Sequence, residues 1–183
     1  MFKLKKDDTV LVIIDMQERL SEAMDEDMLD TAVSNTLLLA KAFNIMNIPV
    51  IETLQYPKGL GDIDEGLKGS YKAVLRVEKT TFSAYEDNKF VEFLEKNSIK
   101  NVVLSGMEAH ICVLQTALDL LENGYNVHIA ADAVISRNDF NWETGLDMAQ
   151  KAGAVVSVAE TVIYQLLGRS DVKEFKDIHK LMK

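Results

Sequence analysis

The sequence predicts an α/β protein of three layers, in which a six-stranded, mostly parallel sheet is covered by helices on both faces. Three observations lead to this fold class. Short β-rich apolar runs alternate with longer helical patterns, most of these runs are apolar on both faces, and each intervening stretch is long enough for a crossover helix. The expected arrangement is therefore Rossmann-like, with right-handed connections between parallel strands.

Six apolar runs of four to six residues are predicted to be strands. In chain order they are "VLVII" (10–14), "PVIET" (49–53), "AVLRVE" (73–78), "NVVLS" (101–105), "NVHIA" (126–130) and "AVVSV" (154–158).

Helices are predicted between and after these strands. Their expected ranges are 27–46, 87–97, 111–123, 140–152, 159–167 and 171–181. The pattern is clearest in 111–123, where the apolar residues form one stripe at helical spacing and Gly124 follows as a candidate C-cap.

The stretch from Gln55 to Lys72, "QYPKGLGDIDEGLKGSYK", is predicted to be a long loop with room for one helical turn. It holds four glycines and one of the two prolines of the chain. Long loops in compact domains are usually functional. Since no repeat, linker or low-complexity tract interrupts the sequence, we expect residues 1–183 to form one domain.

Composition restricts the class of function. The formal net charge is −9, and no cluster of lysines or arginines stands out, which disfavours binding to nucleic acid or to an anionic membrane surface. The apolar run near the amino terminus is too short for a signal peptide or a membrane span. A single cysteine cannot form an internal disulfide. We therefore expect a cytoplasmic protein without nucleic-acid or membrane partners.

Candidate catalytic groups follow three of the predicted strands. Asp15 ends the first strand, Lys79 follows the third, and Cys112 comes shortly after the fourth. In an open α/β sheet, ligands bind beyond the carboxyl ends of the strands. An acid, a cation and a thiol are therefore expected at one rim of the sheet.

Each of these residues also has a purely structural interpretation. Asp15 could cap a turn, Lys79 could be a solvated surface residue, and Cys112 could be a small buried apolar side chain. Against the last interpretation, Cys112 is expected in the first turn of a helix, where the helix dipole and a nearby Lys79 would lower the thiol pKa below 8.5.

Other kinds of site are disfavoured. No Asp-x-His pair follows a predicted strand, no His-x-x-x-His pair occurs, and neither a G-x-G-x-x-G motif nor a Walker loop is present. The sequence therefore predicts no metal and no cofactor.

Three segments carry a resemblance to a known family. "VLVIIDMQERL" contains an Asp-x-Gln after the first strand, "KTTFSAY" a lysine followed by a Phe-Ser pair, and "GMEAHICVLQTALDLLENGYNVHIAADAVISR" a Gly-x-x-x-x-x-Cys-Val block with a later Asp-Ala-x-x-Ser. In this order they resemble the isochorismatase-like cysteine hydrolase family over nearly the whole chain. "EAHICV" is closest to its small isochorismatase-domain branch.

The resemblance implies roles for individual residues. Asp15 would be the base, Lys79 the cation that lowers the thiol pKa, and Cys112 the nucleophile. A cis peptide bond at Met107–Glu108 is also implied, with the backbone N–H groups of Glu108 and Cys112 forming an oxyanion hole.

Five further residues are candidates for contact with a substrate. Phe82 is expected to form an apolar wall, Gln55 and Tyr56 begin the long loop, and His110 lies two residues before the cysteine. Gln17 is included as well, although its expected role is to steady the site. Ordinary packing or loop anchoring remains an alternative for each of them.

Two departures from the family narrow the activity that the resemblance implies. Nicotinamidases of the family bind a metal through an Asp-x-His near the end of the second strand, where this chain reads "ETLQYPKGLG". Isochorismatases proper cleave a vinyl ether without a nucleophilic cysteine at this point. Cys112 therefore favours a metal-independent hydrolase that cleaves a C–N bond of a small amide or carbamoyl compound through a thioester.

Two other classes of function remain open on the same fold. One is a thiol-based sensor of oxidants or electrophiles, and the other is a binding module without catalysis. The resemblance also implies a homo-oligomer, and Trp142 is expected either to pack internally or to lie at a subunit interface.

Overall fold

One sheet of six strands forms the centre of the computed structural model, which describes residues 2–183. The strands are β1 (Thr9–Ile14), β2 (Val50–Gln55), β3 (Leu75–Lys79), β4 (Asn101–Met107), β5 (Asn126–Ile135) and β6 (Val155–Ser157). They are arranged in the order β3-β2-β1-β4-β5-β6, and every neighbouring pair is parallel. The predicted three-layer α/β class is therefore confirmed.

Eight α-helices join or follow the strands within residues 2–183. They are α1 (Glu18–Ser21), α2 (Glu26–Ile45), α3 (Pro57–Leu60), α4 (Asn88–Lys96), α5 (Leu114–Glu122), α6 (Asp139–Ala152), α7 (Ala159–Leu167) and α8 (Phe175–Leu181). Short 3₁₀ turns occupy Lys6–Asp8 and Ala84–Glu86. A π-helical turn, Ala109–Val113, precedes α5.

The sheet divides its apolar side chains between two cores. Leu11 and Ile13 of β1 pack on the face covered by α2, α7 and α8, whereas Val10 and Val12 pack on the face covered by α4, α5 and α6. All residues of β1 and β4 are buried, as expected for central parallel strands. The strand β3 lies at an edge and alternates between buried and exposed positions.

The central pair of strands sets the position of the site. β1 and β4 are neighbours in register from Thr9 beside Asn101 to Ile14 beside Gly106. The order of strands reverses between them, since β2 and β3 extend to one side and β5 and β6 to the other. Their carboxyl ends thus meet at the topological switch point, where open α/β sheets bind ligands.

Gly106 makes this close approach possible. Its φ is +114°, and a Cβ at this position would lie 1.9 Å from the backbone oxygen of Ile14. No side chain fits in that space, so the glycine allows the end of β4 to lie against β1.

Most element bounds differ from the predicted ones by one or two residues, but three differ more. β5 continues to Ile135, well beyond the predicted end at 130, because its pairing with β4 shifts register between Leu104 and Gly106 and then resumes. The predicted helix 111–123 begins as the π-helical turn. The last helix begins at Phe175, four residues later than predicted.

The predicted long loop contains the short helix α3 and is attached to the rest of the fold. An isolated antiparallel bridge pairs Gln17 with Ile63, and the amide N–H of Asp64 donates to the backbone oxygen of Met16. Within residues 2–183, none of the helices is both long enough and apolar enough to cross a membrane.

Candidate active site

Asp15 lies at the end of β1 and is completely buried. Its φ of 46° turns the chain away from the strand direction. Thr53, near the end of β2, makes three hydrogen bonds to it. The Thr53 hydroxyl donates to Asp15 Oδ1 over 2.6 Å, and the Asp15 N–H is shared between the Thr53 backbone oxygen over 3.2 Å and the Thr53 hydroxyl oxygen over 3.3 Å. These bonds fix the carboxylate and leave Oδ2 for another partner.

That partner is Lys79, the last residue of the edge strand β3. Its Nζ lies 2.5 Å from Asp15 Oδ2, and its side chain is 1% exposed. The ammonium also donates to Gln55 Oε1 over 2.8 Å and to the backbone oxygen of Phe82 over 3.1 Å. The interpretation of Lys79 as a solvated surface residue is therefore wrong: this lysine is buried and fully bonded.

Cys112 completes the group from the other side of the switch point. It lies in the π-helical turn after β4 and is 6% exposed, and the charges of Asp15 and Lys79 both act on its thiol. The end of β4 and this turn thus bring the thiol to a carboxylate and an ammonium that come from β1 and β3.

The thiol is protonated in this arrangement. Burial and the negative charge of Asp15 raise the pKa of Cys112 to about 12, against the opposing effect of Lys79. The expectation of a thiol pKa below 8.5 is therefore wrong in sign, although Lys79 acts in the expected direction. Sequence reasoning omitted the desolvation of the thiol and the proximity of the carboxylate.

Gln17 and Gln55 hold the strand ends together. The Gln17 side chain is buried; its amide nitrogen donates to the backbone oxygens of Gln55 and Gly61, and its oxygen accepts from the Gln55 N–H. Gln55 in turn binds Lys79 and donates to the backbone oxygen of Thr80. Both glutamines therefore bind the backbone around the strand ends, and Gln55 also binds the ammonium of Lys79.

Tyr56 and Phe82 lie at the rim of the site. Their exposed fractions are 54% and 52%, high values for aromatic side chains. Tyr56 also lines a cavity of about 270 Å³ that reaches Lys79. Phe82 contacts the ammonium of Lys79 through its backbone oxygen, and its ring is exposed.

His110 lies within the π-helical turn and is half-buried. Its Nδ1 is 3.0 Å from the hydroxyl of the buried Ser136, which follows β5. Helix α6 packs directly on this turn, because a Cβ at Gly145 would lie 2.7 Å from the Cα of His110. Trp142 of the same helix is partly buried, and its indole N–H donates to the backbone oxygens of Ala131 and Val134.

Glu108 begins the turn, and the peptide bond between Met107 and Glu108 is cis. Its carboxylate is buried and accepts two hydrogen bonds from Arg137, one from the backbone N–H over 3.1 Å and one from Nε over 3.0 Å. The turn that carries Cys112 is thus tied to the segment after β5 by Glu108 as well as by His110.

Four residues that position the site were not identified as site residues from the sequence: Thr53, Ser136, Arg137 and Gly145. Thr53 could have been found, because it is a polar residue at the end of a strand. Ser136 belongs to the Asp-Ala-x-x-Ser segment but had no assigned role. No sequence pattern points to Arg137 or Gly145, because their contacts depend on the extra length of β5 and on the packing of α6.

No group of three or more His, Cys, Asp or Glu side chains that could hold a metal ion occurs within residues 2–183. The chemistry available at the site is that of a thiol, a carboxylate base and a buried cation.

The three-layer α/β fold is the one shared by isochorismatase-like hydrolases. The model of the isochorismatase domain matches residues 9–161, which span β1 to the start of α7. The chain belongs to the isochorismatase family.

Relatives of similar length support this assignment. The chain is 33% identical to isochorismatase family protein 1B of Dictyostelium discoideum over 186 residues, covering 99% of this chain and 89% of that protein. It is 36% identical to isochorismatase domain-containing protein 2 of Danio rerio over 185 residues, covering 98% and 89%.

A solved structure described as the MAR1 ribonuclease from Caenorhabditis elegans superposes with a TM-score of 0.92. The two proteins are 35% identical, and the alignment covers 98% of this chain and 92% of that one.

Proposed function

We propose that this protein is a cysteine hydrolase that cleaves a C–N bond of a small amide or carbamoyl compound through a thioester. The observation that carries the proposal is the meeting of Cys112, Asp15 and Lys79 at the switch point, where the thiol interacts with both charged groups. A nucleophile next to a base, with the base held by a third group, is the general pattern of covalent catalysis.

In the first step, the neutral thiol attacks the carbonyl carbon of the substrate. The thiol proton passes to Asp15 as the S–C bond forms, because the raised pKa of Cys112 leaves little thiolate before the substrate binds. Lys79 remains bonded to the carboxylate and keeps it in place. The carbonyl π electrons move to the oxygen, which becomes the oxyanion.

In the second step, the C–N bond breaks. We assign the backbone N–H groups of Glu108 and Cys112 to the oxyanion, since both belong to the turn that presents the thiol. Asp15 returns the proton to the nitrogen, which leaves as ammonia or an amine. Water, deprotonated by Asp15, then attacks the thioester carbon, and the thiolate leaves and regains a proton. The net reaction adds one water and requires neither a metal nor an oxidant.

A direct test combines turnover with intact mass. A panel of small amides and carbamoyl compounds is screened for release of ammonia or amine, and each reaction is quenched in acid for mass spectrometry. We expect a mass increase equal to the substrate acyl group on wild-type protein, and neither adduct nor turnover with Cys112→Ala. Turnover that survives in Cys112→Ala would contradict the proposal.

The two alternative functions make different predictions in the same assay. A sensor of oxidants or electrophiles would form a reversible sulfenic acid on Cys112 with peroxide and no acyl adduct with any amide. A binding module without catalysis would form neither the sulfenic acid nor the acyl adduct.

The name of the Caenorhabditis elegans neighbour raises RNA cleavage as another activity. The net charge of −9 disfavours it, since a protein that binds a phosphate backbone usually presents a basic surface. Adding a short RNA to the panel tests this directly, and cleavage that requires Cys112 would favour the ribonuclease.

We further propose that the protein works as a homo-oligomer in the cytoplasm on a small-molecule substrate. The exposed rings of Tyr56 and Phe82 support the oligomer, because large apolar side chains at a rim are often covered by a partner. Light scattering at micromolar protein is expected to give at least a dimer, and a monomeric mass would contradict this.

A further inference from the structure

We infer that the free edge of β3 pairs with β3 of a second copy of this chain, antiparallel about a twofold axis at Val77. The two six-stranded sheets then join into one continuous sheet. The inference rests on the homo-oligomer of the proposed function and specifies its interface. It starts from the outward-facing backbone of this edge strand.

Alternate residues of β3 direct their backbone groups away from the sheet. The backbone oxygen of Lys79 accepts from the Tyr56 N–H, and Val77, two residues earlier, has the same phase in the ladder with β2. The N–H and C=O groups of Arg76 and Glu78 therefore point outward. Within residues 2–183, β3 has no neighbouring strand on this side, and no turn or loop bonds to the backbone of these two residues. Such an edge is a template for a further strand.

The side chains of Arg76 and Glu78 make this edge complementary to itself. They are two residues apart and so lie on the same face of the sheet, and both are exposed. In the antiparallel pairing about Val77, Arg76 lies opposite Glu78 of the partner subunit, with Cα atoms about 5.5 Å apart. A register shifted by two residues would place two arginines or two glutamates opposite each other, which is destabilising. The charges thus favour one register.

Both charged groups have bonding capacity left for a partner. Arg76 uses Nε for Glu52 and Nη1 for Asp62, which leaves Nη2 without a partner within residues 2–183. Glu78 is exposed and forms no ion pair with any of the described residues. The twofold axis would therefore form two ion pairs, each between the arginine of one copy and the glutamate of the other.

Exposed apolar side chains lie at both ends of this edge. Val74, which precedes β3, is 52% exposed, and Tyr56, which bonds to the last residue of β3, is also exposed. Tyr56 and Glu78 line the same cavity. The twofold axis brings the Val74 end of one copy toward the Tyr56 end of the other, so that apolar surface is buried beside the ion pairs.

The opposite edge of the sheet is less suited to this pairing. It is formed by β6, which has only three residues, and none of them is charged. Charges on an edge strand usually prevent pairing with other chains. On β3, however, the two charges have opposite signs and alternate positions, so they stabilise one antiparallel register instead of blocking all of them.

The test measures the mass of the protein by light scattering at micromolar concentration. Glu78→Pro removes an outward N–H and leaves the ladder with β2 intact, as edge-strand prolines do. Glu78→Arg places two arginines opposite each other. Glu92→Arg, at an exposed position of α4, controls for the change of charge. Circular dichroism shows whether each variant is folded, and if Glu78→Pro fails to fold, Glu78→Arg alone decides.

We expect wild type and Glu92→Arg to form a dimer or a larger even-numbered assembly. Glu78→Pro and Glu78→Arg should halve that mass while keeping the circular dichroism of the folded chain. Glu78→Gln should weaken association by roughly two- to thirtyfold, because it removes two exposed ion pairs without adding repulsion.

A disulfide tests the register. Val77 lies at the axis, where the two Cα atoms would be about 4.5 Å apart, within the range that a disulfide spans. Val77→Cys in a Cys112→Ala background should therefore give a covalent dimer on oxidation. Adding Glu78→Arg to this variant should prevent the cross-link.

A wild-type monomer would overturn both the inference and the homo-oligomer. An unchanged mass in either folded Glu78 variant, or no covalent dimer from Val77→Cys, would overturn the inference alone, since the oligomer would then use another surface. Neither measurement involves hydrolysis, so failure of the proposed reaction is distinguishable from failure of the inference.

Discussion

The ammonium of Lys79 lies 2.5 Å from Oδ2 of Asp15, with the two side chains 1% and 0% exposed. Their charges balance inside the protein, and the Cys112 thiol lies beside both. A buried pair of this kind keeps a charged base in a region from which water is excluded. Because the dielectric constant is low there, the carboxylate attracts the proton of the neighbouring thiol more strongly than it would in water.

The first prediction concerns the pH dependence of the wild-type thiol. Since the pKa of Cys112 is raised to about 12, the thiolate is not half formed until the pH reaches that value. At pH 8.5, where a free cysteine is half ionised, the thiolate fraction should be roughly a thousandth or less. The rate of alkylation by iodoacetamide, followed by intact mass, should still be rising tenfold per pH unit between pH 8 and pH 10. A plateau near pH 8.5 would contradict the raised pKa.

The second prediction concerns stability. Lys79→Met leaves the Asp15 carboxylate buried without its cation, and such a loss typically costs about 3–5 kcal/mol. Urea unfolding should show a lower midpoint at unchanged slope. The double variant Asp15→Asn/Lys79→Met removes both charges and should recover a large part of this loss. If the double variant is as unstable as Lys79→Met, the pair is not coupled in the way described.

The third prediction concerns the packing of α6 on the π-helical turn. Gly145→Ala would place a methyl group 2.7 Å from the Cα of His110, so the turn or the helix must move. Overpacking lowers the free energy of unfolding by about 1–3 kcal/mol, whereas the higher helix propensity of alanine raises it by about 1 kcal/mol. We therefore expect a net loss of stability below about 2 kcal/mol.

The turnover rate should respond more strongly, with at least a tenfold loss, because small displacements of reacting groups greatly slow the chemical step. Met148→Ala on the same helix is the matched control, since Met148 is exposed. Equal turnover in Gly145→Ala and Met148→Ala would show that the turn tolerates the displacement.

The fourth prediction concerns the attachment of the long loop to the sheet. The Tyr71 hydroxyl donates to Glu52 Oε2 over 2.7 Å, while Arg76 binds the other oxygen of the same buried carboxylate. Burial and this hydrogen bond raise the pKa of Tyr71 above its usual value. Tyr71→Phe should cost about 1.5–3 kcal/mol, as for other hydrogen bonds to a charged group.

The same variant should be cleaved faster by proteases between residues 56 and 72. Tyr164→Phe, at an exposed position of α7, serves as the control. Should both variants have the same stability and the same cleavage pattern as wild type, Tyr71 does not anchor the loop.

The sequence was sufficient to predict the six strands and to place the site at their carboxyl ends. It was not sufficient to predict the electrostatics of the site. Short β-rich runs that alternate with longer helical patterns identified all six strands. Polar residues at strand ends then identified Asp15 and Lys79, which the structure brings together.

What the sequence could not give depends on distances between separate segments. The sign of the thiol pKa shift follows from how deeply Cys112 is buried and how close it lies to Asp15. The contact between Arg137 and Glu108 depends on the continuation of β5 past the irregularity in its pairing with β4. Neither property is encoded in the spacing of residues along the chain.

The most direct test of the coupling between base and nucleophile is the pH dependence of Cys112 alkylation in Asp15→Asn. The negative charge of Asp15 raises the thiol pKa, so its removal should lower that pKa and speed alkylation at pH 8. Turnover should nevertheless fall by about 10²–10⁴, because the base that accepts the thiol proton is gone. A thiol pKa that stays the same or rises in Asp15→Asn would contradict the account.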